Sequence, residues 1–483
     1  MPESIKNKFF SGVAWSFVQN VVLKVLGFVF TIFLTRLLTP EDYGLIGMLS
    51  IFIAISEVFI LSGFGQALVQ KKDCTDDDFS TAFYFNVSVA LFIYAVLFFC
   101  APLIANFYHE PQLVVLTRVL SLNFVIGSLN IVQRSKLTKA MNFKPLAMIS
   151  LIGSLTGGVV GVSMAFAGFG VWALVSQTLS SSLAMAIAFP IVTKWTPNRP
   201  FNKESFKQLW NYGSRILVTG TLGVVTRNIS SILIGRFYDK EQVGYFHRAQ
   251  TLAEMPASIL HHVLDDVSFP AFCKVQNELE RRRVIYKKIL FNAVLIAAPI
   301  MFLMALLAKP LVIILFTEKW LPSVPMLQAF LLARMLMPIG ATQTALLRST
   351  GDTTTYMKMY FVTMPISLLA IIVAIPFGVK AMAWATLISA ILNFLITTYV
   401  VGRKFDYGVV YQIWEWRMIG LALLIMSVVV SISNYLISNV WMQLIVGACV
   451  GASIYLMCCK LFNLIDEDLK DMTLTKLRIK KEK

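Results

Sequence analysis

The chain has 483 residues, of which 57% are hydrophobic and only 14% charged, and its mean hydropathy is +0.72. A soluble domain carries about 25% charged and about 45–50% apolar residues, so the composition excludes a water-soluble globular fold and makes lipid the solvent for much of the chain. The net charge of +16, with a pI near 9.5, could mark a nucleic-acid partner; where the basic residues sit decides that question.

Apolar stretches of about 20 residues predict fourteen membrane spans, at approximately 10–35, 45–69, 80–105, 114–133, 146–167, 171–193, 211–235, 249–272, 289–308, 324–347, 359–376, 381–402, 418–437 and 441–462. The predicted architecture is an all-α polytopic membrane protein whose short connections leave no room for a soluble catalytic domain. Lys6 and Lys8 before the first apolar run resemble the start of a secretory signal. That run is about 25 residues long and lacks a small-residue cleavage pattern, so it is read as a retained span.

Alternate loops then fall on two sides. Of the 42 Lys and Arg residues, 30 lie on the side of both termini, seven on the other side and five within spans. The bias places both termini in the cytoplasm and accounts for the basic balance without nucleic acid. The tail LRIKKEK reads as an anchor on anionic inner-leaflet lipid. Trp195, Trp210, Trp414 and Trp416 near inner boundaries, with Trp172, Trp320 and Trp441 near outer ones, are expected as interfacial belts. Of six cysteines, Cys74 and Cys273 fall in polar loops, and Cys100, Cys449, Cys458 and Cys459 in apolar runs. With no metal-type spacing they are expected to be buried small hydrophobes.

An internal repeat is visible at an offset of 200 residues: LTRLLTPEDYGL at 34–45 aligns with IGRFYDKEQVGY at 234–245, matching Arg36 with Arg236, Glu41 with Glu241 and Gly44 with Gly244. Both copies follow the first span of a set of six. An even number of spans separates them, so the halves share one topology and are related by an axis along the membrane normal. The expected organisation is an N-terminal lobe over 1–193, a cytoplasmic linker over 194–209, a C-terminal lobe over 210–402, two appended spans over 403–462 and a basic tail over 463–483.

Ionisable residues inside spans are costly and face a bundle interior or a water-filled cavity. Span 1 carries Asn20 and Lys24, span 2 Glu57, span 4 Arg118, span 7 Arg215 and Arg227, and span 10 Arg334. In span 8, Gln250, Glu254, Ser258, His261 and Asp265 recur on one helical face, interrupted by Pro256. The alternative for His261 to Asp266 is exposure near the cytoplasmic end, and for each buried cation it is a partner on a neighbouring helix. Five cations against two deep acids leave a positive surplus that suits an anionic cargo. No nucleotide-binding loop, zinc-protease motif or nucleophile elbow is present. Gly153, Gly157 and Gly161, like Gly447 and Gly451, have the spacing of close helix packing.

Four stretches carry a family likeness: F-x-S-G-V-A-W-S from Phe9, L-S-G-F-G-Q-A-L-V-Q-K-K-D from Leu61 to Asp73, F-P-A-F-C-K-V-Q from Phe269, and F-T-E-K-W-L-P-S-V-P-M-L-Q from Phe316 to Gln328. In these the chain resembles bacterial polysaccharide exporters of the Wzx type, within the multidrug/oligosaccharidyl-lipid/polysaccharide exporter (MOP) superfamily, and is most similar to the colanic-acid branch. Its one departure is Thr317, where glycine is commoner. The resemblance implies two lobes around a central cavity and a non-enzymatic flippase in the inner membrane, which moves an undecaprenyl-diphosphate-linked oligosaccharide by alternating access. It also implies proton or sodium counter-transport without a cofactor, in a monomer surrounded by membrane lipids and working beside a polymerase and glycosyltransferases. The residues then divide into expected roles: Lys24, Arg118, Arg215, Arg227 and Arg334 for substrate binding, Glu57, Glu254 and Asp265 for ion coupling, and Arg36, Glu41, Arg236 and Glu241 for an external gate. A multidrug or lipid II exporter is the alternative within the superfamily. A membrane polymerase or ligase is the alternative from another class, and the short external loops disfavour it.

Overall fold

The computed structural model describes residues 22–61, 64–71, 73–275 and 278–464, and these are helical, with no strand among them. Asn20, the first half of span 1 and the tail from residue 465 lie outside the described residues. In chain order the helices are α1 (22–37), α2 (Pro40–Leu61), α3 (Phe64–Gln70), α4 (Asp76–Tyr108), α5 (Gln112–Leu120), α6 (Leu122–Ser128), α7 (Ile131–Lys139), α8 (Phe143–Phe166), α9 (Trp172–Thr193) and α10 (Lys203–Phe237). They continue with α11 (Lys240–Lys274), α12 (Leu279–Leu306), α13 (Ala308–Phe316), α14 (Val324–Met335), α15 (Met337–Ser349), α16 (Thr353–Ala374), α17 (Val379–Phe405), α18 (Val409–Glu415), α19 (Arg417–Leu436) and α20 (Val440–Leu461). Ten segments among the described residues are long and apolar enough to cross a membrane. They coincide with ten of the fourteen predicted spans, and the other four predictions fall on α1, α2, α10 and α11.

Predicted spans 4 and 10 are each made of more than one helix. Span 4 is assembled from α5, α6 and α7, and span 10 from α14 and α15. Pro338 at the start of α15 accounts for the second break, because proline is tolerated in a first turn and not in a helix interior. No proline marks the first break.

The chain forms two compact units, Met1–His247 and Arg248–Lys483, divided within α11. In the first, α4 begins at a capping box in which Thr75 and Asp78 satisfy each other's backbone N–H, and Asp76, Asp77 and Asp78 complement the helix dipole. The buried Asp78 carboxylate also takes Lys71 Nζ at 2.7 Å. That ammonium donates onward to Gln208 of α10 at 2.8 Å. The segment read as a linker, 194–209, is packed on this unit. Trp195 is 5% exposed and lies edge-on to Phe79 and Phe83, and the Asn202 N–H donates to Thr81 Oγ1 at 3.0 Å. α8 and α9 lie in near backbone contact: a methyl group on Gly157 would stand 2.6 Å from the Gln177 carbonyl oxygen, as the glycine spacing anticipates.

In the second unit, Phe272, Tyr286, Leu290, Phe405 and Tyr407 form part of one core. Trp320 is fully buried, so Trp195 and Trp320 are core residues and not interfacial ones, whereas Trp210, Trp414 and Trp441 are exposed as a belt requires. Cys273 is helical, near the end of α11, and Cys449 is exposed, which corrects both expectations; Cys458 and Cys459 are buried. At the start of α16, Asp352 caps Thr355 N–H at 3.1 Å and binds Lys404. The Lys404 hydrogen bond holds its carboxyl below the usual carboxylate range.

Thr317 occupies φ 83°, ψ 170°, a region open essentially to glycine alone. Holding a β-branched residue there costs of order 1–3 kcal/mol. Gly378 takes nearly the same angles, φ 96° and ψ 165°, before α17. Thr317→Gly is therefore expected to stabilise the protein by about 1–3 kcal/mol, read as a higher melting midpoint in detergent. An unchanged or lower midpoint would show that the loop compensates for the threonine.

Candidate functional site

The polar stripe of α11 and the two halves of span 10 meet in a cavity of about 520 Å³ inside the second unit. Glu254 Oε2 lies 2.7 Å from an Arg334 guanidinium nitrogen, and further along the same helices Asp265 binds Arg348. Arg334, Arg348, His261 and Asp265 line the cavity, joined by Thr344, Asn393 and Thr397 from α15 and α17. The guanidinium of Arg348 also lies over the Phe269 ring, 5.2 Å from its centroid. Arg334 and Glu254 are 34% and 44% exposed, so the pair is partly open and not sealed in a core. An ion pair in that position gains little net stability, about 0.2–1 kcal/mol, which leaves both partners available to exchange for a soluble or lipid-borne ion. His262 and Asp266, off the stripe, are exposed; His261 and Asp265, on it, are half-buried against the cavity.

Helical spacing explains in part why these partners meet. Glu254 and Asp265 are 11 residues apart, and Arg334 and Arg348 are 14 apart. At about 100° per residue the 11-residue interval returns nearly to the same face of α11, whereas Arg334 and Arg348 stand on the successive helices α14 and α15 and are brought to the cavity by how those two pack. Arg348 stands at a predicted span boundary, where a basic residue counts toward topology, and only the packing of α15 shows it to be a cavity cation.

The other predicted residues are placed differently. Arg118 donates to the Phe98 carbonyl at 3.3 Å and lies 4.2 Å from that ring's centroid, which engages it locally in the first unit. Lys24 is exposed on α1. Glu57 lies on α2, and Arg215 and Arg227 on α10, with side chains outside the described residues.

The repeat-matched residues come together in the first unit. The ends of α1 and α10 lead into α2 and α11, and those two helix starts cross in direct backbone contact. A Cβ on Gly44 would stand 1.8 Å from the carbonyl oxygen of Lys240, and one on Gly244 would stand 1.9 Å from that of Pro40. Gly44 and Gly244, like Pro40 and Lys240, are equivalent at the offset of 200, so the contact is reciprocal, as between copies related by a two-fold axis. Gly47 continues it against Val243 and His247. Charge decorates the crossing unequally. Lys240 Nζ reaches Glu41 at 3.4 Å and Glu110 at 3.6 Å, where the first repeat has Pro40. Arg236 donates to the Phe107 carbonyl at 3.0 Å and contacts His109, and Glu241 accepts from Tyr245 Oη at 2.8 Å. Arg36 is exposed at the end of α1. Lys240, Glu110 and His109 were not anticipated, because nothing in their local sequence marks them.

This helical arrangement is that of a known class of membrane transporters. The chain matches the lipid II flippase MurJ in an inward closed conformation with a TM-score of 0.73 at 16% identity, covering 93% of this chain and 98% of that one. The fold is thus the one seen in that MurJ structure. The profile of the polysaccharide biosynthesis protein family matches residues 33–325, and the chain belongs to that family. Among its relatives, the teichuronic acid biosynthesis protein TuaB of Bacillus subtilis (strain 168) is 24% identical over 462 residues, covering 94% of this chain and 95% of that protein. The lipopolysaccharide biosynthesis protein WzxC of Escherichia coli (strain K12) is 24% identical over 339 residues, covering 70% and 69%. The protein is a multi-pass membrane transporter of polysaccharide biosynthesis.

Proposed function

We propose that the protein flips an undecaprenyl-diphosphate-linked oligosaccharide across the cytoplasmic membrane by alternating access, ahead of its assembly into a surface polysaccharide. In this reading fourteen spans, in two six-span repeats with two appended, cross an inner membrane with both termini in the cytoplasm. In this reading the sequence motifs ally the chain with the colanic-acid branch of exporters. The observation that carries the proposal is that Arg334 and Arg348, which both line the cavity, each contact a carboxylate of α11, Glu254 and Asp265 respectively. A diphosphate carries more charge than a carboxylate and offers more acceptor oxygens, so it can take over the guanidinium of Arg334 or Arg348. The released carboxylate, Glu254 or Asp265, is then left without its counter-charge and is free to take up a coupling cation. Cargo binding and cation binding are thereby linked through shared arginines. Lys24, Arg118, Arg215 and Arg227 are further candidates for contacts along the path, Glu57 for a second coupling acid, and Arg36, Glu41, Arg236 and Glu241 for the external mouth.

Deleting the gene is expected to remove one surface glycan while its lipid-linked repeat unit accumulates, with the sugars facing the cytoplasm; plasmid-borne wild type restores export. Loss of a drug-resistance phenotype with all surface glycans intact would reject the glycan reading in favour of a multidrug exporter.

A further inference from the structure

The foot of α17 and the short helix α18 form a second, separate cavity in the Arg248–Lys483 unit, of about 690 Å³. α18 lies between two segments able to span a membrane, α17 and α19, and it is fixed from one side only. Gln412 is fully buried and donates to the Tyr407 carbonyl at 3.0 Å, and the Tyr407 hydroxyl bonds Glu415. Tyr407 packs edge-on against the fully buried Tyr286, 5.7 Å between centroids. The other side of α18 is apolar and bare: Val410 is 79% exposed, Tyr411 69% and Trp414 65%. An isolated soluble helix turn would not hold such a face in water. At a bilayer surface that face meets acyl chains, while aromatic and cationic groups stay at headgroup level.

The polar wall of the cavity is basic. Arg283 is held by Asp406, through the carboxylate at 3.7 Å and the carbonyl at 2.7 Å, which uses the one acid lining the cavity. Arg403 stacks over Tyr399, 4.8 Å from its centroid, and has no ion-pair partner among the described residues. A stacked guanidinium keeps its donor edge available for a phosphate. Gly402 packs against Gly408, with a Cβ on Gly402 due to fall 2.6 Å from Gly408 Cα.

We infer that this cavity binds the headgroup of an anionic phospholipid, with its phosphate on Arg403 beside Arg283 and its acyl chains along the exposed face of α18. The occupant is a lipid and not a free anion because the basic wall and the apolar face adjoin on one surface between two spans. The site is independent of the transported cargo and requires only that the protein reside in a membrane.

The test is native mass spectrometry of the full chain in mild detergent after exchange into phosphatidylethanolamine mixed with phosphatidylglycerol. Wild type is expected to retain phosphatidylglycerol over phosphatidylethanolamine. Arg403→Gln should lower that retention about fivefold, the effect of one interfacial cation, and Arg403→Lys should keep most of it. Val410→Asp, at a residue exposed enough to leave the fold alone, should also expel the anionic lipid without lowering the melting midpoint. Equal retention by wild type and both charge-altering variants overturns the site. Displacement of the lipid by millimolar inorganic phosphate overturns the lipid as occupant, in favour of a free-anion site.

Discussion

Gly44→Val and Gly244→Val are each expected to abolish export, and the double variant to be little worse than either single one. The two glycines make one contact from opposite sides. A side chain at either position meets a backbone carbonyl less than 2 Å away, which no rotamer change can relieve. The helices must separate, and overpacking of this kind costs about 1–3 kcal/mol even where side chains can yield. Once one substitution has forced α2 and α11 apart, the second enters space already opened, so the penalties are coupled and not additive. Melting midpoints of the purified variants and glycan complementation measure the two consequences separately. Additive destabilisation would mean that the positions act independently and that the reciprocal contact does not hold the crossing together. Wild-type export by Gly44→Ala with an unchanged midpoint would show the contact to be loose.

The second large effect is expected at Arg334. A hydrogen bond to a charged group is worth about 1.5–3 kcal/mol, so Arg334→Gln should lower transport roughly ten- to hundredfold. Stability should change far less, because the Glu254 partner is 44% exposed and can be hydrated. Glu254→Gln should also stop transport, through loss of ion dependence, while cargo still binds. The decisive variant is the reversal, Glu254→Arg with Arg334→Glu. A purely structural pair would be rescued in both stability and export. A pair whose arginine must meet an anionic cargo from span 10 would recover its melting midpoint and remain inactive. Recovery of export by the reversal would remove Arg334 from the cargo path.

The residues of span 8 show how much of the site was legible. Glu254, His261 and Asp265 share one face by periodicity alone, and His261 and Asp265 of that face line the cavity. Arg334 was legible as an intramembrane cation, but its partner was not, since the pairing is set by how α14 packs beside α11. Arg348 was hidden because it lies at a predicted span boundary, where a basic residue ordinarily signals topology. Arg118 had the same sequence credentials as Arg334, yet it rests on Phe98. Only packing separates a cation aimed into a cavity from one satisfied by its neighbour. The segment 194–209 carries Pro197 and Pro200 and reads as a linker, but Trp195 and Asn202 bind it to α4.

By itself the sequence determined the solvent, the helical class, the positions of the apolar segments and the residue match at an offset of 200. Each is a property of local composition or periodicity and survives any packing. Tertiary structure decided the rest: the breaks within spans 4 and 10, the placement of the unit boundary within α11, and the partners of the charges. Those outcomes depend on contacts between residues far apart in the chain, for which hydropathy carries no information. The glycines at 44 and 244 belong to both levels. Their equivalence was written in the sequence, and their role at one shared crossing followed only from two backbones meeting closer than any side chain would allow.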